Sequence, residues 1–352
     1  MWFYYCLILF FFSLAWASRQ RPDLARSHFK FSLGLVFLIV AFRYDVGCDW
    51  WGYEQHYLRQ NPESFGEAIP SLDPLYWLLV DLISYLELPY VFLNIATSII
   101  FFFGLYRLAI RFGQPMLILA FSFPVLVFAI PMSATRQALA MGFLMLAFSG
   151  LIDRRYIRFI LLNILAAQFH ASASVFLIFA PLVYFGGTLK AWILSSPILF
   201  LGAYLGTGSE AYEIASVRYI EGGSDALGAP FRTLLLSLIG AYFFLFLKKS
   251  WKERFPHSFP VANSAAYFLA ASFPTSFLSP TIADRFGYYL YLFAAIFIAG
   301  IPDLRGKIAG RDLFIAMAGF FVFFIVWSTL SWQLSLCYVP YRTWIFGLPG
   351  LD

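Results

Sequence analysis

Seven arginines stand apart from the other basic residues of this chain: Arg43, Arg59, Arg136, Arg218, Arg232, Arg285 and Arg342. None of these positions carries a lysine, whereas the remaining basic clusters taken together use both residues. A guanidinium presents a planar fork that grips phosphate oxygens two at a time, which an ammonium cannot do. Arg232 and Arg342 are explained by snorkelling at a helix end. Arg43, Arg136 and Arg285 each abut an apolar run, on the side of a membrane that positive charge avoids, and a bound phosphate or pyrophosphate is the chemistry that would keep them there. Two further groups could move protons. His170 sits in Phe-His-Ala-Ser between apolar segments, and an imidazole can take a proton from a hydroxyl near neutral pH. It reads equally as a hydrogen-bonded structural residue. Asp49, in Gly-Cys-Asp-Trp-Trp, is the rival base, or a carboxylate that holds Arg43 or Arg136 in a salt bridge.

The elements that must position these groups are membrane helices. Of the 352 residues 61% are hydrophobic and only 12% are charged, about half the charge of a soluble domain. This excludes a soluble enzyme, and the net charge of +5 needs only cytoplasmic basic loops and no nucleic acid. The reading is an all-α, polytopic protein, residues 1–352 forming one integral membrane domain. Apolar segments fall at 2–17, 31–42, 71–88, 90–106, 115–131, 137–151, 157–169, 172–186, 191–205, 231–247, 260–277, 286–301 and 313–332. Prolines interrupt several of them, as in helices that line a cavity. Basic residues at 19–30, 107–111, 154–158, 190, 248–254 and 305–311 mark the cytoplasmic loops. Three segments then lie between Lys30 and Arg107, so one does not cross. The best candidate is 71–88, with its Asp73, Asp81 and Glu87. Roughly 12 transmembrane helices follow, with both termini outside. The apolar start followed by Arg19 and Arg21 reads as a retained helix rather than a cleaved leader.

The external loops, near 43–73 and 206–230, are acidic and aromatic. Asp45, Asp49, Glu54, Trp50, Trp51, Tyr53 and Tyr57 in the first, and Glu210, Glu213, Tyr212 and Tyr219 in the second, would suit a sugar. Carboxylates take its hydroxyls and rings take its apolar face. Interfacial aromatic belts of the same composition arise with no ligand at all. Three cysteines make no paired framework: Cys6 and Cys337 read as apolar filler, and a Cys48–Cys337 bridge, though conceivable, is not expected because sequence alone cannot bring such distant residues together. The four scattered histidines have no zinc-site spacing.

Taken in order, Arg43, Gly47, Asp49 and Tyr53, then Arg136-Gln137, then Phe169-His170 with Ser172 and Ala173, resemble the EpsG/Wzy-type family of bacterial polysaccharide polymerases. The likeness covers roughly 40–180 well. Beyond that it rests on Arg218 with Tyr219 and Arg285 with Tyr288. The resemblance implies a GT-C-like helical bundle in the bacterial inner membrane with a periplasm-facing site. Donor and acceptor would both be glycans carried on undecaprenyl pyrophosphate, in contact with membrane lipid and with a chain-length regulator protein as a partner. No metal or other cofactor is implied, since arginines could neutralise the leaving pyrophosphate. In that frame His170 or Asp49 is catalytic, and Arg43, Arg136, Gln137, Arg218, Arg285, Tyr53 and Tyr288 bind substrate. A ligase to another acceptor is the alternative within the class, and a flippase for a lipid-linked glycan the alternative outside it. A transporter more often shows internal repeats, and none is visible.

Overall fold

The computed structural model describes residues 1–60, 65–66, 69–70, 72–186, 188–197 and 228–347. Arg218, Tyr219 and nearly all of the 206–230 loop lie outside the described residues. Everything described is helix, turn or irregular chain apart from one isolated β-bridge. Seven helices are long and apolar enough to cross a membrane, and four shorter apolar helices accompany them. The protein is an all-α, multi-pass membrane protein.

The helices form two compact units. The first takes in residues 1–145, 165–171 and 317–352. It opens with α1 (Trp2–Gln20) and α2 (Pro22–Ala41). Only Arg21 separates them, and Pro22, which lacks the N–H that a first helical residue leaves unused, starts the second helix. Arg26 and Lys30 are therefore part of α2 rather than of a loop. The short helices α3 (Trp50–Leu58) and α4 (Pro74–Tyr85) follow, then α5 (Val91–Ala109). At 12 residues, α4 is about 18 Å long, well short of a hydrocarbon core of about 30 Å. Next come α6 (Pro115–Ser122), which widens into a π-turn at Phe123–Val127 around Pro124, and α7 (Thr135–Ile152). Pro124 has no N–H to give the preceding turn, and a local π-turn accommodates that gap.

Close approach of α5 to α7 rests on two glycines. A Cβ on Gly142 would stand 2.7 Å from the Ile100 carbonyl oxygen, and one on Gly104 would run into Gly142 itself. Small residues of this kind let membrane helices pack backbone to backbone. α8 (Tyr156–Phe169) delivers Phe169 onto α7, where it stacks on Phe143 at 5.2 Å. The next residue is His170, so this stack fixes its place beside the start of α7.

The second unit comprises residues 146–164 and 172–316. It contains a 3₁₀ turn (Ala171–Ile178, all but its first residue), α9 (Phe179–Tyr184), α10 (Ala229–Tyr242), α11 (Lys248–Arg254), α12 (Phe259–Ser276) and α13 (Pro280–Ala299). α14 (Ala309–Leu330) passes back to the first unit, where α15 (Trp332–Tyr338) and a 3₁₀ turn (Trp344–Phe346) follow. Pro274 inside α12 leaves the Ala270 carbonyl without its helical donor. Ser237 of α10 donates to that oxygen at 3.0 Å, and the Phe273 N–H donates to Ser237 Oγ at 2.9 Å. α13 begins at Pro280, six residues before the apolar run that marks it in the sequence, so Arg285 is helical.

Candidate active site

The stretch after α2 is held by the chain's last described segment. The Tyr44 N–H donates to the Arg342 carbonyl at 3.0 Å, Gly47 N–H to the Cys337 carbonyl at 2.8 Å, and Trp344 N–H to the Phe42 carbonyl at 2.8 Å. Arg43 and Thr343 form the β-bridge, and the Arg342 and Asp45 side chains pair. Cys48 and Cys337 form a disulfide with their Cα atoms 4.8 Å apart. This corrects the expectation from sequence that the cysteines stay unpaired and that Cys337 is filler: 289 residues separate the two, and only tertiary packing brings them together. Tyr338, stacked on Phe128 with centroids 4.0 Å apart and donating to the Phe128 carbonyl at 2.8 Å, anchors the same segment to the core.

Within this strapped loop Gly47 has φ +110° and lies against the turn before α7. A Cβ there would collide with the Met132 carbonyl oxygen and come within 3.0 Å of Ser133 Cα. The contact brings Asp49 onto Ser133. The Asp49 N–H donates to Ser133 Oγ at 3.2 Å, and that hydroxyl donates to Asp49 Oδ2 at 3.3 Å. Asp49 is exposed, and among the described residues it forms no ion pair with Arg43 or Arg136. Arg43 turns inward. Its side chain is buried, donating from Nη1 to the Val40 carbonyl at 2.9 Å and from Nε to the Val46 carbonyl at 3.2 Å, with its guanidinium against the Trp50 ring. Burial lowers its pKa from the ordinary arginine value, and nearby tyrosines oppose that shift. As placed, Arg43 ties the end of α2 to the loop rather than facing outward.

Two of the other expected residues, Arg136 and His170, meet at a carboxylate not singled out from sequence as a site residue, Asp73. Its side chain is 2% exposed, and a carboxylate so buried needs partners. It has three. Arg136 Nη1 donates to Oδ2 at 3.0 Å, the Ala171 N–H donates to Oδ1 at 2.8 Å, and His170 Nδ1 lies 3.4 Å from Oδ2. On the other side of the ring, Gln137 Nε2 is 3.3 Å from His170 Nε2. An amide nitrogen only donates, so His170 Nε2 accepts. In the neutral ring this arrangement puts the proton on Nδ1, facing Asp73. Asp73 occupies the helix-start position before α4 but makes no side-chain bond to that helix. Its backbone is left-handed, φ 58° and ψ 49°, directly before Pro74. Such a conformation costs on the order of 1–3 kcal/mol and persists where surrounding contacts enforce it.

Arg136, in the first turn of α7, lies over two rings, Tyr53 at 5.7 Å and Tyr76 at 5.8 Å. Both tyrosines belong to a buried cluster with Trp50, Tyr90, Leu93 and Leu139, which forms the bed of the site. Burial raises the Tyr53 pKa, with Arg136 pulling the other way. The Arg136 side chain remains 31% exposed, and its Nε has no partner. Of the loop rings expected to form a sugar platform, Trp50 and Tyr53 are in the core and Trp51 is exposed.

The second unit holds its own arginine pair. Arg232 forms a two-pronged bridge to Asp284, Nε–Oδ1 2.6 Å and Nη2–Oδ2 2.7 Å, with the Tyr288 ring 5.8 Å from its guanidinium. Tyr291 donates to the Arg232 carbonyl at 2.8 Å. Arg285, beside Asp284 on α13, is exposed. The structure therefore joins Arg136, Gln137 and His170 in one cluster, with Tyr53 beneath it. It places Asp49 on the turn that leads into α7, and puts Arg285 and Tyr288 in the other unit. The signal for Asp73 was an acid immediately before a proline at the head of an apolar segment. Nothing local shows that its partners lie 63 and 97 positions away.

The site is a buried acid–imidazole pair beside a partly exposed arginine, at helix ends of a multi-pass membrane protein. Residues 28–343 match the EpsG family, and the chain belongs to that family. Membership goes with a membrane glycosyltransferase of the polysaccharide-polymerase type. No curated protein and no solved structure matches the chain significantly.

Proposed function

We propose that the protein polymerises oligosaccharide repeats carried on undecaprenyl pyrophosphate, at the periplasmic face of a bacterial inner membrane. The observation that carries the reading is the convergence of Arg136 and His170 on Asp73, with Gln137 on the far side of the imidazole. An acceptor hydroxyl attacks the anomeric carbon of the donor. Its proton passes to His170 Nε2 as the Gln137 amide gives way. The bond from sugar to pyrophosphate breaks, and the leaving pyrophosphate takes up the electron pair. Arg136 meets the charge that develops there, using N–H groups that Asp73 does not occupy. Its position in the first turn of α7 adds the free N–H groups and dipole of a helix start. Asp49, exposed and steadied by Ser133, orients a sugar hydroxyl. Arg285, Tyr288 and Arg218 contribute substrate contacts from elsewhere in the chain. The Cys48–Cys337 bridge supports the orientation, because disulfides persist on the oxidising side of a membrane and this one staples the loop that carries Asp49.

The test uses purified protein in lipid nanodiscs with an undecaprenyl-pyrophosphate-linked repeat. The expected products are a ladder of glycan lengths and free undecaprenyl pyrophosphate in proportion to the bonds formed. Movement of the intact lipid-linked glycan across a bilayer with no new glycosidic bond would identify a flippase instead. Bond formation only onto a different acceptor would identify a ligase.

A further inference from the structure

The geometry points to Asp73 as the residue that fixes the proton of His170 on Nδ1 and holds Arg136 beside it, making the proton acceptor and the anion contact a single preorganised unit. The inference rests on the reading of His170 as the base, and it assigns Asp73 a positioning role, since its own oxygens are occupied by protein donors. Oδ2 serves both Arg136 at 3.0 Å and His170 Nδ1 at 3.4 Å. A displacement of that one atom therefore moves both groups. Oδ1 is pinned separately by the Ala171 N–H at 2.8 Å, which ties the carboxylate to the residue that follows His170. The imidazole has one lone pair to offer, and a carboxylate on Nδ1 leaves it on Nε2. That is the nitrogen the Gln137 amide touches at 3.3 Å, a long contact that a substrate hydroxyl can replace. The strained backbone of Asp73 fits the same role. A left-handed residue before a proline is unfavourable; its carbonyl accepts from the Tyr76 and Trp77 N–H groups of α4 at 3.0 and 3.3 Å, while its side chain does not cap that helix. It aims the carboxylate away from α4 and toward His170 and Arg136.

The test locates the proton directly. The chain has four histidines, so ¹⁵N-histidine labelling gives a spectrum simple enough to assign, with His170→Gln identifying the His170 signals. At a pH where the ring is neutral, wild-type protein should show a protonated Nδ1 and a bare Nε2. Asp73→Gly removes the carboxylate without a backbone penalty, since glycine adopts φ near +58° freely. It should lose the single-tautomer signature and lower turnover per folded molecule by at least about 10²-fold. A proton on Nε2 in the wild-type protein overturns the inference without any variant. An unchanged Nδ1–H signature in Asp73→Gly does so as well, whatever the activity. Loss of the signature with turnover intact overturns the preorganising role of Asp73, whereas His170→Gln with turnover intact overturns the reading of His170 as the base.

Discussion

Replacing Gly47 by alanine should damage the site through a single methyl group. Gly47 has φ +110°, and the added Cβ would point into the Met132 carbonyl and lie 3.0 Å from Ser133 Cα. Holding alanine in that conformation costs on the order of 1–3 kcal/mol, and overpacking against a fixed backbone adds about 1–3 kcal/mol. Relief requires the loop to retreat on the order of 1 Å to restore ordinary contact. The neighbouring Cys48–Cys337 bridge and the Gly47 N–H bond to the Cys337 carbonyl oppose that retreat. The Asp49–Ser133 contacts, at 3.2 and 3.3 Å, are already near the limit of a hydrogen bond and would break. The combined destabilisation is about 2–6 kcal/mol. The assay is thermal unfolding of the purified protein, with glycan synthesis measured on the folded fraction. Gly52 is the control. A Cβ there meets nothing within 4 Å, so Gly52→Ala in α3 should be neutral or stabilise by up to about 1 kcal/mol. A Gly47→Ala protein that melts like wild type and makes polymer of normal length would refute the close approach of the loop to the 132–133 turn.

Arg136→Lys keeps the charge but loses the fork and the ring contacts with Tyr53 and Tyr76; protein level should stay normal while polymer synthesis falls at least tenfold, and near-normal polymer length would show that Arg136 is structural. Arg232→Ala or Asp284→Ala breaks the two-pronged buried bridge from one side and should cost about 3–5 kcal/mol, whereas the double change to apolar residues should cost less than either; additive losses in thermal unfolding would contradict the pairing. Denatured without reductant, the protein should show one reactive thiol, Cys6, and after reduction three, counted by mass after alkylation; three at the outset would remove the Cys48–Cys337 bridge.

The membrane fold is legible in sequence because it depends on composition over some 20 residues, which no tertiary contact can disguise. Helix boundaries are harder to read where charge sits inside a helix. Arg26, Lys30 and Arg285 look like loop residues, yet α2 and α13 begin before them, since a helix end at a membrane surface tolerates polar side chains. Arg136, Gln137 and His170 attract attention as polar residues in apolar surroundings. The carboxylate that Arg136 and His170 share does not, because Asp73 sits in a polar-looking stretch and its burial is created by chain far away. The same holds for Arg43. An arginine beside an apolar helix can face an anion or satisfy carbonyls at its own helix end, and only the folded loop shows that Val40 and Val46 take its donors. Arg232 looks like a snorkelling residue until α13 brings Asp284 against it.

The central claim is that His170 takes a proton during glycosidic bond formation, and His170→Gln tests it most directly. Glutamine keeps hydrogen-bonding capacity near Asp73 and Gln137 but cannot accept the proton at neutral pH. Turnover per folded molecule, measured with the lipid-linked repeat, should fall by about 10²–10⁴-fold while donor binding and protein abundance stay close to wild type. Near-normal turnover in His170→Gln would contradict the account, reducing His170 to a structural link and leaving Asp49 as the base.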